Sequence, residues 1–266
     1  MDARRRNQYL EAIGVDLWVP RHGAHDGATA TDTATATVAP VPRSSGAVAP
    51  AVAAHGVLAA EPAIALAAAA PPESLTPEQV AQWDELRAEV AACTRCVLHS
   101  SRTQGVLGVG NRQADWLVIG EAPGAEEDRR GEPFVGRAGQ LLDAMLKAIG
   151  LSRETNVYIA NVLKSRPPGN RDPKPDEVAA CLPYLMRQIA LMQPRLILAV
   201  GRIAAQNLLR TDVPLGRLRG QVHHFGELNT PLIVTYHPAY LLRSPGDKRK
   251  AWEDLKFARG VFRQLM

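Results

Sequence analysis

The fold is indicated by the loop Gly120-Glu121-Ala122-Pro123-Gly124, which Pro133-Phe134-Val135-Gly136 follows shortly after. A predicted strand precedes this loop region and a predicted helix follows it. Residues 115–119 precede it as a short apolar run that is typical of a buried strand. Residues 138–149 follow it with apolar residues at helical spacing. A polar loop between a strand and a helix lies at the carboxyl end of the strand, where open α/β sheets bind their ligands. The sequence therefore predicts a ligand site in this loop, with glycines for close backbone approach and Phe134 for stacking.

The composition permits a full hydrophobic core and gives a mildly basic chain. Of the 266 residues, 46% are hydrophobic, and the net charge of +4 is compatible with a polyanionic partner. No run of about 18 apolar residues free of charges appears, so we expect no membrane span. The basic start at residues 1–6 lacks the apolar core of a signal peptide, which predicts a cytoplasmic protein.

Changes in composition divide the chain into three parts. Residues 1–21 form a short amphipathic element, for which we expect either a packing role or a protein partner. Residues 22–73 are rich in Ala, Pro, Thr and Gly with few charges, which predicts a flexible, disordered linker. Residues 74–266 form the folded domain, which opens on the helix-start signature Thr76-Pro77-Glu78.

Strand and helix patterns alternate through the folded domain. Such alternation is typical of a parallel sheet covered by helices on both faces. The predicted fold is therefore a three-layer α/β domain with a central four-stranded parallel sheet. The predicted strands are 115–119, 156–160, 195–200 and 231–236, and the predicted helices are 77–93, 138–149, 176–192, 202–210 and 248–265.

Polar residues follow the predicted strands at the points where the strands end. Asn161 follows the second strand and His237 follows the fourth, while Glu121 and Phe134 lie in the loop after the first. A carboxylate, an amide, an imidazole and a ring at one edge of a sheet suit a planar heterocycle. Taken singly, Asn161 is also a common turn or cap residue, His237 can simply end a strand, and Phe134 can lie in the core. The prediction of a site rests on their joint placement.

Four ordered motifs carry a resemblance to a known family. They are Gly-Glu-Ala-Pro-Gly at 120–124, Pro-Phe-Val-Gly-Arg-Ala-Gly at 133–139, Asn-Val-Leu-Lys-Ser-Arg-Pro-Pro-Gly-Asn-Arg at 161–171 and His-Pro-Ala-Tyr-Leu-Leu-Arg at 237–243. In this order they resemble the family 4 uracil-DNA glycosylases over roughly residues 74–266. The resemblance implies a uracil-DNA glycosylase-like fold and an enzyme of DNA base excision repair. Such an enzyme flips uracil out of DNA and hydrolyses its N-glycosidic bond, leaving an abasic site and free uracil.

The resemblance also implies roles for individual residues in a uracil pocket. Glu121 and the backbone at Ala122 would line this pocket, and Phe134 would stack on the extruded base. Asn161 would bond the uracil edge and reject cytosine, whose amino group presents a donor where uracil presents an acceptor. His237 would stabilise the negative charge that develops on the departing base.

The group that positions the attacking water is open among three carboxylates. Glu121 is our first candidate, which makes Glu121, Asn161 and His237 the expected catalytic residues. Asp128 is an alternative, and so is Glu127, which we also expect among the residues that bind the substrate.

Basic and apolar residues near the expected mouth of the pocket suit uracil-containing DNA as the partner. Phosphate contacts carry no sequence information, which suits an enzyme that acts anywhere on DNA. Leu241 or Leu242, in a loop at 239–243, would fill the gap left by the flipped nucleotide. The expected DNA-binding residues are Lys164, Arg166, Arg171, Leu241, Leu242 and Arg243, with Lys248, Arg249 and Lys250 nearby.

The three cysteines are a poor basis for a disulfide framework, and the spacing of Cys93 and Cys96 more often indicates metal or redox chemistry. The resemblance implies a structural [4Fe–4S] cluster held by four cysteines. Cys93, Cys96 and Cys181 match three of those positions, and Ser165 stands at the fourth. We expect a bound cluster in which Ser165 or His99 is the fourth ligand or one site stays open. The alternative is a core that holds without metal.

Two other classes of function stand beside the glycosylase. The first is a non-catalytic protein that binds uracil-containing DNA without turnover. The second is a phosphate-binding nucleotide enzyme, which is disfavoured because the sequence has no Gly-x-x-x-x-Gly-Lys-Ser/Thr motif. We expect a monomer whose activity is associated with the nucleoid.

Overall fold

The computed structural model describes residues 75–266. The predicted N-terminal element at 1–21 and the predicted linker at 22–73 lie outside the described residues, and both stay predictions. Within the described part of the chain, no helix has the length and apolar character needed to cross a membrane.

A mixed sheet forms the centre of the domain. Its strands are β1 (Val109–Gly110), β2 (Trp116–Gly120), β3 (Val157–Asn161), β4 (Leu196–Val200), β5 (His223–Phe225) and β6 (Thr230–Thr235). In space they run β1-β3-β2-β4-β6-β5. The four inner strands are parallel, as predicted, whereas β1 and β5 pair antiparallel at the two edges. The sheet thus has two strands more than the predicted four, because edge strands of two or three residues carry too little pattern to read.

Helices cover both faces of the sheet. The described α-helices are α1 (Pro77–Ala92), α2 (Ala125–Arg130), α3 (Arg137–Ala148), α4 (Pro175–Met192), α5 (Arg202–Leu209), α6 (Leu215–Leu218), α7 (Pro238–Arg243) and α8 (Lys248–Gln264). The five predicted helices are confirmed to within one residue at each end. α2, α6 and α7 were not predicted, since each is too short to show a helical period.

The first helix begins where the sequence indicates. The Thr76 hydroxyl accepts a hydrogen bond from Gln79 N, and Gln79 Oε1 accepts one from Thr76 N, which forms a capping box. Pro77 occupies the first helical turn, where its missing N–H is no loss. The face of α1 that carries Trp83 and Leu86 is buried against the sheet.

Each face of the sheet has its own hydrophobic core, because successive strand residues point to opposite sides. In β2, Leu117 and Ile119 join the core under α1 and α4, while Trp116 and Val118 join the core under α3 and α8. All five residues of β2 are buried as a result. This three-layer packing fixes the inner strands so that their carboxyl ends meet at one edge of the sheet.

Candidate active site

The carboxyl ends of β2, β3 and β6 open into one cleft. Gly120, the last residue of β2, is paired with Asn161, the last residue of β3, in the parallel register. The cleft has a volume of about 390 Å³. Its walls comprise Glu121, Ala122, Pro123, Gly124, Glu127, Phe134, Ala138, Asn161, Pro167, Asn170, Arg171, Asp172, His237, Ala239, Tyr240 and Arg243.

The cleft contains the side chains that the sequence places in one pocket. The substrate-binding residues expected there were Glu121, Ala122, Glu127, Phe134, Asn161 and His237, and each of them lines it. They come from segments far apart in the chain, which are joined by the parallel register of the sheet. Their roles stay proposals, but their convergence is a property of the fold.

Gly120 permits the amide and the ring to approach one another. A Cβ added at this position would lie 2.4 Å from Asn161 Oδ1 and 2.7 Å from Phe134 Cζ. Both distances are well inside ordinary van der Waals contact, so any side chain here would push Asn161 and Phe134 apart. The glycine is therefore needed for close approach rather than for an unusual backbone angle.

Asn161 presents a buried acceptor to this cleft. The residue is 2% exposed, and among the described residues its Oδ1 atom has no hydrogen-bond partner. A buried acceptor without a partner costs about 1–3 kcal/mol, so native structures usually satisfy such an atom. Its position on the wall of a cleft is suited to a ligand that carries an N–H group.

His237 is a neutral imidazole at physiological pH. Burial lowers the pKa of His237 to about 4, with the positive charge of Arg243 adding to the effect and Glu127 opposing it. The backbone N–H of Ala239 donates to His237 Nδ1 at 3.1 Å, which leaves the proton of the neutral ring on Nε2. The imidazole thus offers an N–H donor without carrying a charge.

Glu121 is poised to titrate near neutrality. Burial, together with the negative charge of Asp172, raises the pKa of Glu121 to about 7, while Arg202 opposes the shift. Asp172 itself pairs with Arg202, with Oδ2 and Nη2 2.5 Å apart. A carboxyl group with a pKa close to the working pH is suited to general acid or base catalysis.

The two other candidate carboxylates are engaged in holding the backbone. Glu127 Oε1 accepts from the N–H groups of Val135 and Gly136, and its Oε2 accepts from Gly124 N. Asp128 is buried at 4% exposure, accepts from the Thr103 N–H and hydroxyl, and does not line the cleft. Of these three candidate carboxylates, Glu121 is therefore the one that lines the cleft and stays available to a water.

Two of the residues expected to bind DNA lie inside the protein instead. Lys164 is 1% exposed, and its Nζ donates to Asn161 O at 2.8 Å, to Gln188 Oε1 at 2.5 Å and to Leu107 O. Burial lowers the pKa of Lys164 to about 7. Leu241 is 1% exposed and belongs to the core under α3 and α8. Neither side chain is exposed for a DNA contact, so the structure contradicts both predictions. The segment expected as a loop at 239–243 lies within helix α7.

The other expected DNA contacts lie at or near the mouth of the cleft. Arg171 and Arg243 line it, although Arg171 is also paired with the buried Glu177 at 2.5 Å. Arg166 is partly exposed and donates to Asn170 Oδ1 at 2.7 Å. Leu242 is 36% exposed, unlike its neighbour in the sequence.

Cys93 ends helix α1, Cys96 follows it by three residues, and Cys181 lies on α4 beside the loop after β3. Cys181 is buried and its Sγ accepts from Lys164 N at 3.5 Å, while Cys93 and Cys96 pack at the edge of the same core. Burial raises the pKa of the Cys181 thiol, and the nearby Cys96 and Cys93 add to the effect. Three thiols thus share one region of the fold.

The donor set in this region does not fit a cluster ligated by four thiolates. Ser165 Oγ accepts from Arg102 Nη1 at 2.9 Å, and Arg102 Nη2 donates to the carbonyls of Ala91 and Cys93. His99 Nδ1 is bonded to Cys96 O. Within residues 75–266, no group of three or more His, Cys, Asp or Glu side chains is arranged to hold a metal ion. A hydroxyl held by a guanidinium stands where the fourth thiolate would be.

Several wall residues were not singled out by their sequence positions. Asn170 and Asp172 follow the turn at Pro168–Gly169, and Tyr240 and Ala239 lie on α7. A polar run after a strand was the available signal for the first two. No sequence signal marked Tyr240 as a wall residue. Its position depends on helix α7, which also places Leu241 in the core.

Comparison with known proteins identifies the class that this fold and cleft define. Residues 107–256 match the family model described as the uracil DNA glycosylase superfamily. The chain belongs to that superfamily. It is 45% identical over 179 residues to a type-4 uracil-DNA glycosylase of Archaeoglobus fulgidus, covering 65% of this chain and 89% of that protein.

Further relatives are uracil-DNA glycosylases of two types. The chain is 41% identical over 179 residues to the type-4 uracil-DNA glycosylase of Thermotoga maritima, covering 66% of this chain and 92% of that protein. It is 36% identical over 118 residues to a type-5 uracil-DNA glycosylase of Thermus thermophilus, covering 39% of this chain and 53% of that protein. These relatives support uracil-DNA glycosylase as the enzyme class of the chain.

Proposed function

We propose that the chain removes uracil from DNA by flipping the nucleotide into this cleft and hydrolysing its N-glycosidic bond. The observation that carries the proposal is the buried, unpartnered Oδ1 of Asn161 on the cleft wall. Uracil carries an N–H group at N3, which would satisfy this acceptor. A base inside a duplex is out of reach of such an atom, so the nucleotide must leave the stack at a cost of about a few kcal/mol.

Discrimination against cytosine follows from the same atom. Cytosine has no proton at N3, so Asn161 Oδ1 would stay unsatisfied, at a cost of about 1–3 kcal/mol. The amide N–H groups of Asn161 would meet the carbonyl O4 of uracil but the amino group of cytosine. Both mismatches act against cytosine, whereas uracil satisfies both sides of the amide.

Bond cleavage would use the two other polar groups of the cleft. Positive charge develops on the sugar and negative charge on the departing uracil, and a preorganised donor aimed at the base lowers that barrier most. His237 supplies such a donor, because its neutral ring carries the proton on Nε2. Ionised Glu121 would position the water that attacks the sugar and accept its proton.

Phe134 would serve as the stacking surface for the extruded base, since its ring forms part of the cleft wall beside His237. Leu242 would occupy the gap that the base leaves in the duplex, and Arg243 would contact phosphate at the mouth of the cleft. The exposure of Leu242, at 36%, supports this assignment over its buried neighbour Leu241.

For the cofactor we propose a narrower role than the resemblance implies. Cys93, Cys96 and Cys181 are the side chains that would face an iron–sulfur cluster, which would link the end of α1 to α4 without taking part in the chemistry. Ser165 leaves the fourth ligand position without a thiolate, and the roles proposed for Glu121, Asn161 and His237 do not depend on the cluster.

An oligonucleotide assay tests the proposal. Oligonucleotides with one uracil, or with cytosine at the same position, are incubated with the full chain and then treated with alkali to cut abasic sites. We expect cutting at uracil and none at cytosine. Binding to the uracil oligonucleotide without any abasic product would support the non-catalytic binding protein instead, and equal cutting of both would remove the role of Asn161.

A further inference from the structure

Phe134 has a backbone conformation that a bulky residue rarely adopts. Its φ angle is +54°, in the left-handed region that favours glycine. A conformation of this kind costs about 1–3 kcal/mol and persists only when the surroundings enforce it. Phe134 is 6% exposed, and this backbone conformation places its ring on the cleft wall beside His237.

Arg153, which lies outside the cleft wall, holds the backbone of Phe134. Its Nη2 donates to Phe134 O at 2.9 Å and its Nη1 donates to Pro133 O at 3.3 Å. Asp143 on α3 fixes the guanidinium in turn, with Asp143 Oδ1 accepting from Arg153 Nε at 2.8 Å. The side chain of Arg153 is 15% exposed, and its bonds to the two carbonyls are partly buried, whereas its bond to Asp143 is exposed.

Two further residues confine the same loop. A Cβ at Gly139 would lie 1.8 Å from Phe134 O, so the carbonyl sits in space that is open only because residue 139 has no side chain. Glu127 holds the other side of the loop through the N–H groups of Val135 and Gly136. Donors for the carbonyls and an acceptor for the amides thus clamp residues 133–136 from two sides.

We infer that Arg153 is a positioning residue, which holds the ring of Phe134 where the extruded base stacks by binding the carbonyls of Pro133 and Phe134. The inference rests on the proposed function only in its last step, the contact with the base. Without the guanidinium, the carbonyls of Pro133 and Phe134 lose these donors, and Glu127 holds the loop only through the N–H groups of Val135 and Gly136. The left-handed backbone at Phe134 can then relax toward an ordinary extended or helical conformation, which would move the ring off the wall. A misplacement of about 1 Å can lower an enzymatic rate by about a hundredfold.

The test follows the ring and the reaction in the same protein. The chain has four phenylalanines, Phe134, Phe225, Phe257 and Phe262, so labelling with 4-fluorophenylalanine gives four ¹⁹F resonances. Phe134→Leu identifies the resonance of the loop. Arg153→Met removes the donors and keeps the aliphatic stem, and Arg153→Lys keeps one donor. Arg129→Met is the matched control, because the Arg129 side chain is 63% exposed. Within the described residues, this side chain bonds to Glu126 on its own helix and to no other group.

We expect Arg153→Met to shift the Phe134 resonance, to leave the other three in place and to lower the single-turnover excision rate tenfold to a hundredfold, roughly. Affinity for DNA without uracil should stay at the wild-type value, since no phosphate contact is lost. Arg153→Lys should recover part of both effects, and Arg129→Met should show neither. A Phe134 resonance and an excision rate that both stay at wild type in Arg153→Met would overturn the inference. It is equally overturned if all four resonances move together in Arg153→Met and Arg153→Lys, because that is a general loss of folding. If the wild-type chain excises no uracil, the proposed function fails, and the ¹⁹F comparison still decides whether Arg153 holds the ring.

Discussion

The ring of Phe134 lies beside the imidazole of His237, with their centroids 5.5 Å apart and their planes inclined by 32°. Phe134 belongs to the loop between α2 and α3, and His237 follows β6 at another strand of the sheet. The parallel sheet brings these two segments together, and Gly120 leaves the room for Asn161 to join them. A ring, an imidazole donor and an amide acceptor therefore share one wall of the cleft.

Removal of the Asn161 side chain separates function from stability. Because Asn161 Oδ1 has no partner among the described residues, Asn161→Ala breaks no hydrogen bond of that atom, and we expect the free energy of unfolding to change by less than about 1 kcal/mol. Excision should fall by about 10²-fold or more, as for loss of a group that contacts charge developing in the transition state. Asn207→Ala, which removes a bond to Ile203 O on α5, is the control that should leave excision intact. Denaturant unfolding and single-turnover kinetics measure the two effects, and a variant that excises uracil at the wild-type rate would contradict the role of Asn161.

The rate of excision should depend on the ionisation of Glu121. Because the pKa of Glu121 is raised to about 7, the ionised form that accepts a proton from water accumulates as pH rises through that value. We therefore expect single-turnover rates to increase with pH across neutrality and to level off above it. Glu121→Gln should be slow and should lose this dependence.

Two neighbouring charges should shift the pH dependence of the excision rate in opposite directions. Asp172 raises the pKa of Glu121, so Asp172→Asn should move the rise in rate to lower pH. Arg202 lowers that pKa, so Arg202→Gln should move the rise to higher pH. A profile that keeps its position in both variants would show that another group controls the reaction.

Leu241 and Leu242 differ by one position but should give opposite phenotypes. Leu241 is in the core, so Leu241→Ala should destabilise the fold by about 2–5 kcal/mol. Leu242→Ala should change stability by less than about 0.5 kcal/mol. It should slow excision from double-stranded more than from single-stranded DNA, because only the duplex has a gap to fill. Equal effects on the two substrates would argue against insertion of Leu242.

The inner strands of the sheet and most of the cleft residues can be predicted from the sequence. The inner strands appear as short apolar runs, and Glu121, Asn161 and His237 appear as polar residues directly after them, because parallel strands bring their carboxyl ends to one edge. The prediction that Lys164 and Leu241 lie at the surface was wrong. Lysine is normally exposed, and its burial here depends on acceptors from Leu107 and Gln188 that lie far away in the chain. Leu241 and Leu242 are chemically alike, and only the rotation of α7 decides which one packs inward.

A thiolate at position 165 should increase the iron content of the protein. In the wild type, Ser165 Oγ is bound by Arg102 and offers no thiolate to a cluster. We expect Ser165→Cys, purified under anaerobic conditions, to hold more iron per chain and to show stronger visible charge-transfer absorbance than the wild type. Ser101→Cys, an exposed serine in the same region, is the control. Equal iron in wild type and Ser165→Cys would show that the fourth position does not limit the cluster.

Inhibition by free bases tests most directly whether Asn161 Oδ1 receives the N3–H group of uracil. Uracil and 3-methyluracil differ by one methyl group, which replaces the hydrogen that this buried oxygen requires. Excision from a uracil oligonucleotide is measured with either base added at the same concentrations. We expect inhibition by uracil and none by 3-methyluracil, with the difference lost in Asn161→Ala. Equal inhibition by both bases would contradict this expectation.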